Sequence, residues 1–531
     1  MESNVETVSD RARQLVHDLS LYSVAHVVPA FFSLAALMLF TRTFQPRMFG
    51  RYSLALAVAG IVSTLLYGWL DYSVLRYAPQ LDEELVIRNT FSVYLGISSV
   101  LLLAAIGGYL LVSHRLGPYT VFYFAALGLA LVRGGLQVLL AFFRSILDSR
   151  KVTVFRLTRA VVTLGLSVLL AIFVLDHIVG WVWGTTIGIG VTCVFIFVTS
   201  KQVRATPVVD REVIGRLAGY GIPMIGFVIG DEFLVQADRL LLEAFAGSVA
   251  VGIYSSNYML VDRGLRLAYT PIIQAMSPII IDSWEENNED EIAEMLSSFV
   301  RYFVLLGVPA LVGVGVLSQT VSSLLIGDEF TSGYVIIPIV AVGLFLWALA
   351  NLAQVAIEIK ERTSVLSYGI LVVILLNIAL NIPLITAFGY LGAAVATALS
   401  YALYCVFAIA FSSRYIAWQF PVVPFRNAVI GGATMSCPTA VLYVTGAYDL
   451  VVSLFTAAVG GVLGLVGGPG AGAGAITPVA SAIRGRVGVL VGSLIVAVGV
   501  GYLVRGTAIT GAVTGLPVVG RGFRVVTAPV I

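Results

Sequence analysis

Charged residues in this chain come in short clusters separated by apolar runs of about 20 residues, the helix length that crosses roughly 30 Å of hydrocarbon. That spacing constrains the fold more than any motif does. Only 11% of the 531 residues are charged, where a soluble domain carries about 25%. A transmembrane barrel would show segments of ~10 residues alternating apolar and polar, and none do. The chain reads as an all-α polytopic membrane protein of about 14 transmembrane helices. The spans fall near 19–41, 52–73, 91–113, 119–143, 157–175, 178–199, 217–237, 248–275, 300–324, 334–356, 364–386, 390–412, 426–446 and 450–467.

Lysine and arginine are distributed unevenly between alternate loops. With the N-terminus inside, eighteen fall on the cytoplasmic side up to residue 426 and five on the other, namely Arg42, Arg47, Arg51, Arg115 and Arg239. The positive-inside rule then places the N-terminus in the cytoplasm and the protein in the cell membrane. The first residues, "MESNVETVSDRARQLVHDLS", are polar and acidic, unlike a basic signal-peptide n-region. All three cysteines, Cys193, Cys405 and Cys437, lie in apolar runs, so neither a disulfide framework nor a metal site is indicated. No basic, aromatic-interleaved patch suggests nucleic acid.

A long-range echo divides the chain. "FGRYSLALA" (49–57) opens the second span and "VGIYSSNYM" (251–259) opens the eighth, sharing Gly-x-Tyr-Ser at an offset of 202 residues. Transporters are commonly built from such repeats, with substrate held between them. The expected organisation is two pseudo-symmetric six-helix bundles plus two C-terminal helices. It comprises a cytoplasmic segment 1–18, an N-terminal bundle 19–199, a cytoplasmic linker 200–216, a C-terminal bundle 217–412, helices 13 and 14 over 426–467, and a Gly/Ala-rich tail 468–531. The tail is assigned no function.

Ionisable groups at bilayer depth are expensive and mark polar cavities or ion pairs. In the seventh span, "YGIPMIGFVIGDEFLVQADRLLLEAF", Asp231 and Glu232 lie midway. A role in proton or cation coupling and a structural pair with another helix both stay open for them. Asp238 and Arg239 are read as a helix-end ion pair at the outer interface. In the eighth span, Asp262 and Arg266 stand at i and i+4 with the acid first, the favourable order. Tyr258 continues their polar stripe, and Arg263 has no partner on its own helix. It needs either a carboxylate from elsewhere, Glu232 or Asp231, or an anion brought by a substrate. Arg133, in "FAALGLALVRGGLQVLLAFF", is similarly unpaired. Guanidinium forks suit phosphate oxygens and keep their charge when desolvated. Arg263, Arg266, Arg133 and Tyr258 are therefore the candidate substrate-binding residues, and Asp231, Glu232 and Asp262 the candidate coupling or ion-pair residues. Asn377 and Asn381 share one face of the eleventh span. The next span offers Gly392, Ala393, Ala396, Thr397 and Ser400 for close approach, so this hairpin reads mainly as interhelical packing.

Three stretches, in order, resemble the polysaccharide-unit flippases of the multidrug/oligosaccharidyl-lipid/polysaccharide exporter superfamily. They are "FQPRMFGRYSLA", then "YGIPMIGF" leading to "ADRLLLEAFAGSVAVGIYSS", then "LNIALNIPLITAFGYLGAAVATALSY". The resemblance covers about residues 19–460. It implies two bundles forming a V around a cavity lined mostly by spans 1, 2, 7 and 8, working by alternating access. It also implies substrates that are polyprenyl- or dolichyl-linked saccharides joined through phosphate or pyrophosphate. Span one carries only His26 midway and Arg42 at its end, unlike the arginine-rich first span of lipid II flippases.

The expected activity is outward movement of such a lipid-linked oligosaccharide for polysaccharide assembly or glycosylation, without cofactor and without catalysis. Glycosyltransferases are the expected neighbours, and H+ or Na+ the expected driving ion. One alternative is a cation-coupled multidrug-type exporter, which would want buried carboxylates without neutralising arginines. A second is a membrane polysaccharide polymerase or ligase, which would want a large external loop with Arg and His.

Overall fold

The computed structural model describes residues 28–204, 206–285, 289–360 and 362–432. The segment 1–18, His26, the side chain of Asp231, most of the span 426–446 with Cys437, the span 450–467 and the tail 468–531 lie outside the described residues.

Every regular element among the described residues is helical. Numbered along the chain, they are α1 (Val28–Thr43), α2 (Pro46–Tyr77), α3 (Glu83–Leu116), α4 (Thr120–Ser145) and α5 (Ser149–Val168), the last continuing as a π-turn over Leu169–Val174. Next come α6 (Val179–Thr199), α7 (211–246), α8 (248–285) and α9 (Glu289–Leu325). After a 3-10 stretch at Asp328–Ile336 follow α10 (Ile337–Ile359), α11 (Thr363–Phe388), α12 (Tyr390–Tyr415) and α13 (422–432). Among the described residues a helix lies within each of the first twelve expected spans, the first from residue 28. Nine helical stretches among the described residues are long and apolar enough to cross a membrane.

Several helices run beyond their expected spans, and two of these boundaries matter for the site. α5 starts at Ser149 rather than 157 because Asp148 caps it: its carboxylate accepts from the Lys151 backbone N–H at 3.0 Å. α7 runs to 246 rather than 237, since nothing interrupts it before Gly247, whose φ of 79° takes the chain out of the helical region. At 1.5 Å per residue, each extension carries a helix roughly 12 Å further. Residues assigned to loops or interfaces thereby sit inside helices.

The chain forms two compact units. Among the described residues, the first comprises those from 28 to 289 together with those from 326 to 416. Within it α2 packs along α7 and α8 and against α4, α5 packs on α6, and α10, α11 and α12 pack together. The second, among the described residues, comprises 290–325 and 417–432. There the Gln419 backbone N–H donates to Ser297 Oγ at 3.1 Å, and Gly432 lies against Val312.

Candidate functional site

A cavity of about 670 Å³ lies inside the first unit, within the size range of ligand pockets. Its wall carries five arginines, Arg144, Arg156, Arg159, Arg263 and Arg266, and one acid, Asp71. Helical periodicity explains which side chains arrive there. On α8, Met259, Arg263 and Arg266 follow one another at i, i+4 and i+7, so one stripe faces the space. On α4 the facing stripe is Gln137, Leu140 and Arg144, and on α5 it is Arg156, Arg159/Ala160, Thr163 and Ser167. α1, α2 and α6 complete the wall with Phe32, Phe40, Phe49, Tyr52 and Trp181 among others. One end of the cavity is thus cationic and the other aromatic and hydroxyl-bearing.

Two of the guanidinium groups already have counter-ions. Arg144 pairs with Asp71 across α4 and α2 at 2.6 Å, and Arg266 pairs with Asp262 at 2.7 Å on its own helix. Arg263 is different: its Nε is buried without a hydrogen-bond partner. Positive charge therefore exceeds negative on this wall, which attracts anions into a low-dielectric recess where such attraction is strong.

The structure brings Arg263 and Arg266 to the cavity, with Asp262 behind Arg266. Arg133 and Tyr258 lie off its wall. Arg133 stands one turn from Gln137 on α4 and pairs with Glu232 at 3.6 Å. Expected as an unpaired cation, it has a carboxylate, and Glu232 serves Arg133 rather than Arg263. Tyr258 precedes Met259 by one position and turns away, 3% exposed, under the Arg239 guanidinium at 5.3 Å. Arg156 falls just before the expected span 157–175 and Arg159 at its start. The early start of α5 places them two turns into a helix, and the Asp148 cap followed by a spaced Arg/Thr/Ser stripe is the signal for it.

Asp238 and Arg239 are not an interfacial helix-end pair. They are 1% and 4% exposed, because α7 continues for two further turns. The Asp238 carboxylate accepts from Tyr254 Oη at 2.6 Å, from Asn381 Nδ2 at 2.9 Å and from the Thr397 hydroxyl. Arg239 donates to Ser255 Oγ at 3.2 Å and to Gln236 Oε1 at 2.8 Å, and Gln236 donates to Glu232 at 3.1 Å. Asn381 also donates to Asn377 Oδ1 at 2.9 Å, and Asn377 to Ser400 Oγ at 3.2 Å. Asn381 Oδ1 itself is buried with no partner. The two asparagines thus pack α11 on α12, as their pattern suggests, and also brace a buried carboxylate on α7. Carboxylate, carboxamide and hydroxyl oxygens from four helices converge here, a donor set suited to a hard cation.

Several known proteins are similar to this chain. A probable low-salt glycan biosynthesis flippase, Agl15 of Haloferax volcanii, is 25% identical over 209 residues, 39% of this chain and 43% of that protein. An uncharacterized membrane protein of Methanocaldococcus jannaschii is 22% identical over 221 residues, 41% of this chain and 43% of that protein. The chain thus spans less than half the length of these curated relatives. Among solved structures, the lipid II flippase MurJ in an inward closed conformation superposes with a TM-score of 0.68 at 15% identity, covering 92% of this chain and 99% of that one. An inward-facing multidrug resistance MATE family transporter of the MOP superfamily gives 0.59 at 11% identity, covering 74% and 98%. The fold is therefore that of the exporter superfamily the sequence resembles. Residues 39–335, more than half of the chain, match the family described as Polysaccharide biosynthesis protein, and the chain belongs to that family.

Proposed function

We propose that this protein is a membrane flippase. It would carry a polyprenyl- or dolichyl-(pyro)phosphate-linked oligosaccharide from the cytoplasmic to the outer leaflet, for polysaccharide assembly or glycosylation, by alternating access through the arginine-lined cavity. The observation that carries this reading is the wall of five arginines against one aspartate. A sugar-phosphate head loses its hydration in hydrocarbon and cannot cross unaided. Guanidinium forks replace water at the phosphate oxygens. Hydroxyls of Thr163, Ser167 and Thr185 and the ring of Trp181 offer partners to the saccharide, while the lipid tail stays in the bilayer. The name of the Haloferax relative and the flippase fold of MurJ support the same direction.

The finer architecture belongs to this proposal: about 14 helices, two pseudo-symmetric six-helix bundles, and a cytoplasmic N-terminus in the cell membrane. With that orientation the cationic end of the cavity lies toward the cytoplasm, where the lipid-linked precursor is made. Glycosyltransferases are the natural neighbours. A coupling ion would act at one of two carboxylates. A proton on Glu232 would release Arg133, and a cation could settle on the oxygens around Asp238. Loss of ion dependence in Glu232→Gln or in Asp238→Asn distinguishes them.

The MATE-like fold raises export of organic cations as a second reading, but five arginines repel such a cargo. The test is reconstitution into sealed vesicles with a labelled lipid-pyrophosphate oligosaccharide. Protein-dependent transfer to the far leaflet is expected, with no transfer of a lipophilic cation. Transfer of the cation alone would overturn the proposal.

A further inference from the structure

At the end of the cavity away from Arg144, four helix ends meet: the starts of α2, α4 and α8 and the end of α7. The α2 and α8 backbones touch there. A Cβ added to Gly50 would stand 1.9 Å from the Ser248 carbonyl oxygen, and one added to Gly252 would stand 2.0 Å from that of Pro46. The offset of 202 residues carries Pro46 onto Ser248 and Gly50 onto Gly252. The contact is therefore its own image, residue for residue, about a local two-fold axis. Phe49 and Tyr52, next to Gly50, line the cavity on the inner side of this seam. Close glycine contacts pack by backbone approach, without large interlocking side chains. Such a seam can part without repacking a core, and it needs something else to hold it.

A small polar cluster lies beside it. The hydroxyl of Tyr119, at the start of α4, donates to Glu243 Oε1 near the end of α7. Ser248, at the start of α8, donates to the same oxygen at 2.8 Å, and the Tyr119 and Ser248 hydroxyls are 3.1 Å apart. Arg51 of α2 sits over the Tyr119 ring at 6.0 Å. Glu243 Oε2 and Arg51 Nε are buried without hydrogen-bond partners, so the cluster is not fully satisfied in this arrangement. We propose that Tyr119, Glu243 and Ser248 form a latch that holds the glycine seam between α2 and α8 closed, shutting this end of the cavity. Opening would break the Tyr119 bonds to the α7–α8 turn while leaving the Ser248–Glu243 bond intact. The latch does not depend on which cargo the cavity takes.

Cysteine accessibility tests this without any substrate. Thr163, on the cavity wall, becomes the sole reporter (Thr163→Cys) after Cys193, Cys405 and Cys437 are replaced by alanine in the full chain. A membrane-impermeant thiol reagent is applied in turn to each face of oriented vesicles. Labelling should be fast from the Arg144 side and slow from the latch side. Tyr119→Phe and Glu243→Gln should each raise the slow rate by about tenfold, the equivalent of one hydrogen bond to a charged group. The fast rate should not rise. Unchanged latch-side labelling in both variants, or an equal rise from both faces, would overturn the latch.

Discussion

The cavity and the Asp238 cluster both hold charge inside one helical unit, yet they treat it in opposite ways. Around Asp238, three neutral donors from α8, α11 and α12 converge on a single carboxylate that is 1% exposed. Along the cavity, arginines outnumber acids five to one and border open space. The first region uses a charge to fasten helices together. The second borders a cavity with more positive than negative charge. A polar residue inside a membrane is therefore informative only together with its partners, because pairing turns a prospective site into a packing element.

Breaking the fastened region should show in stability. Asp238→Ala strands three buried donors and should cost about 3 kcal/mol, read as a lower unfolding midpoint in detergent. Asp238→Asn keeps an acceptor and should lose less. The open region should respond in transport instead. Arg156→Gln or Arg159→Gln should slow transfer of a lipid-pyrophosphate saccharide roughly tenfold each, with unfolding changed by less than about 0.5 kcal/mol.

Intermediate cases sharpen the contrast. Arg239→Ala, which the sequence alone would place at a tolerant interface, belongs to the fastened region and should destabilise by about 2 kcal/mol. Asn381→Ala removes the bonds to Asp238 and Asn377 and should cost about 1 kcal/mol. Tyr258→Phe should be nearly silent in transport, since this residue points away from the cavity toward Arg239. A transport defect there, at full stability, would erase the distinction between the two regions.

Much of this was readable from the chain. The spacing of apolar runs gave the helices, and the α8 stripe through Arg263 and Arg266 follows from 3.6-residue periodicity alone. The 202-residue echo relates Gly50 to Gly252, which the structure brings into reciprocal contact. What escaped was set by helix ends and by distant partners. Arg156 fell before, and Arg159 at the very start of, a span whose beginning the Asp148 cap moves back to Ser149. Arg133 seemed unpaired because Glu232 lies about a hundred residues away and only packing brings them within 3.6 Å. Asp238 was placed at an interface because Gly247, rather than the first charged pair, ends α7.

The most direct measurement compares Arg263→Ala with the unaltered protein in proteoliposomes, scoring folded protein and outward transfer of a lipid-pyrophosphate oligosaccharide in one preparation. Transfer should fall roughly 10- to 100-fold while the unfolding midpoint stays in place. Transfer at the unaltered rate would contradict the claim that the arginine wall is the path of the cargo.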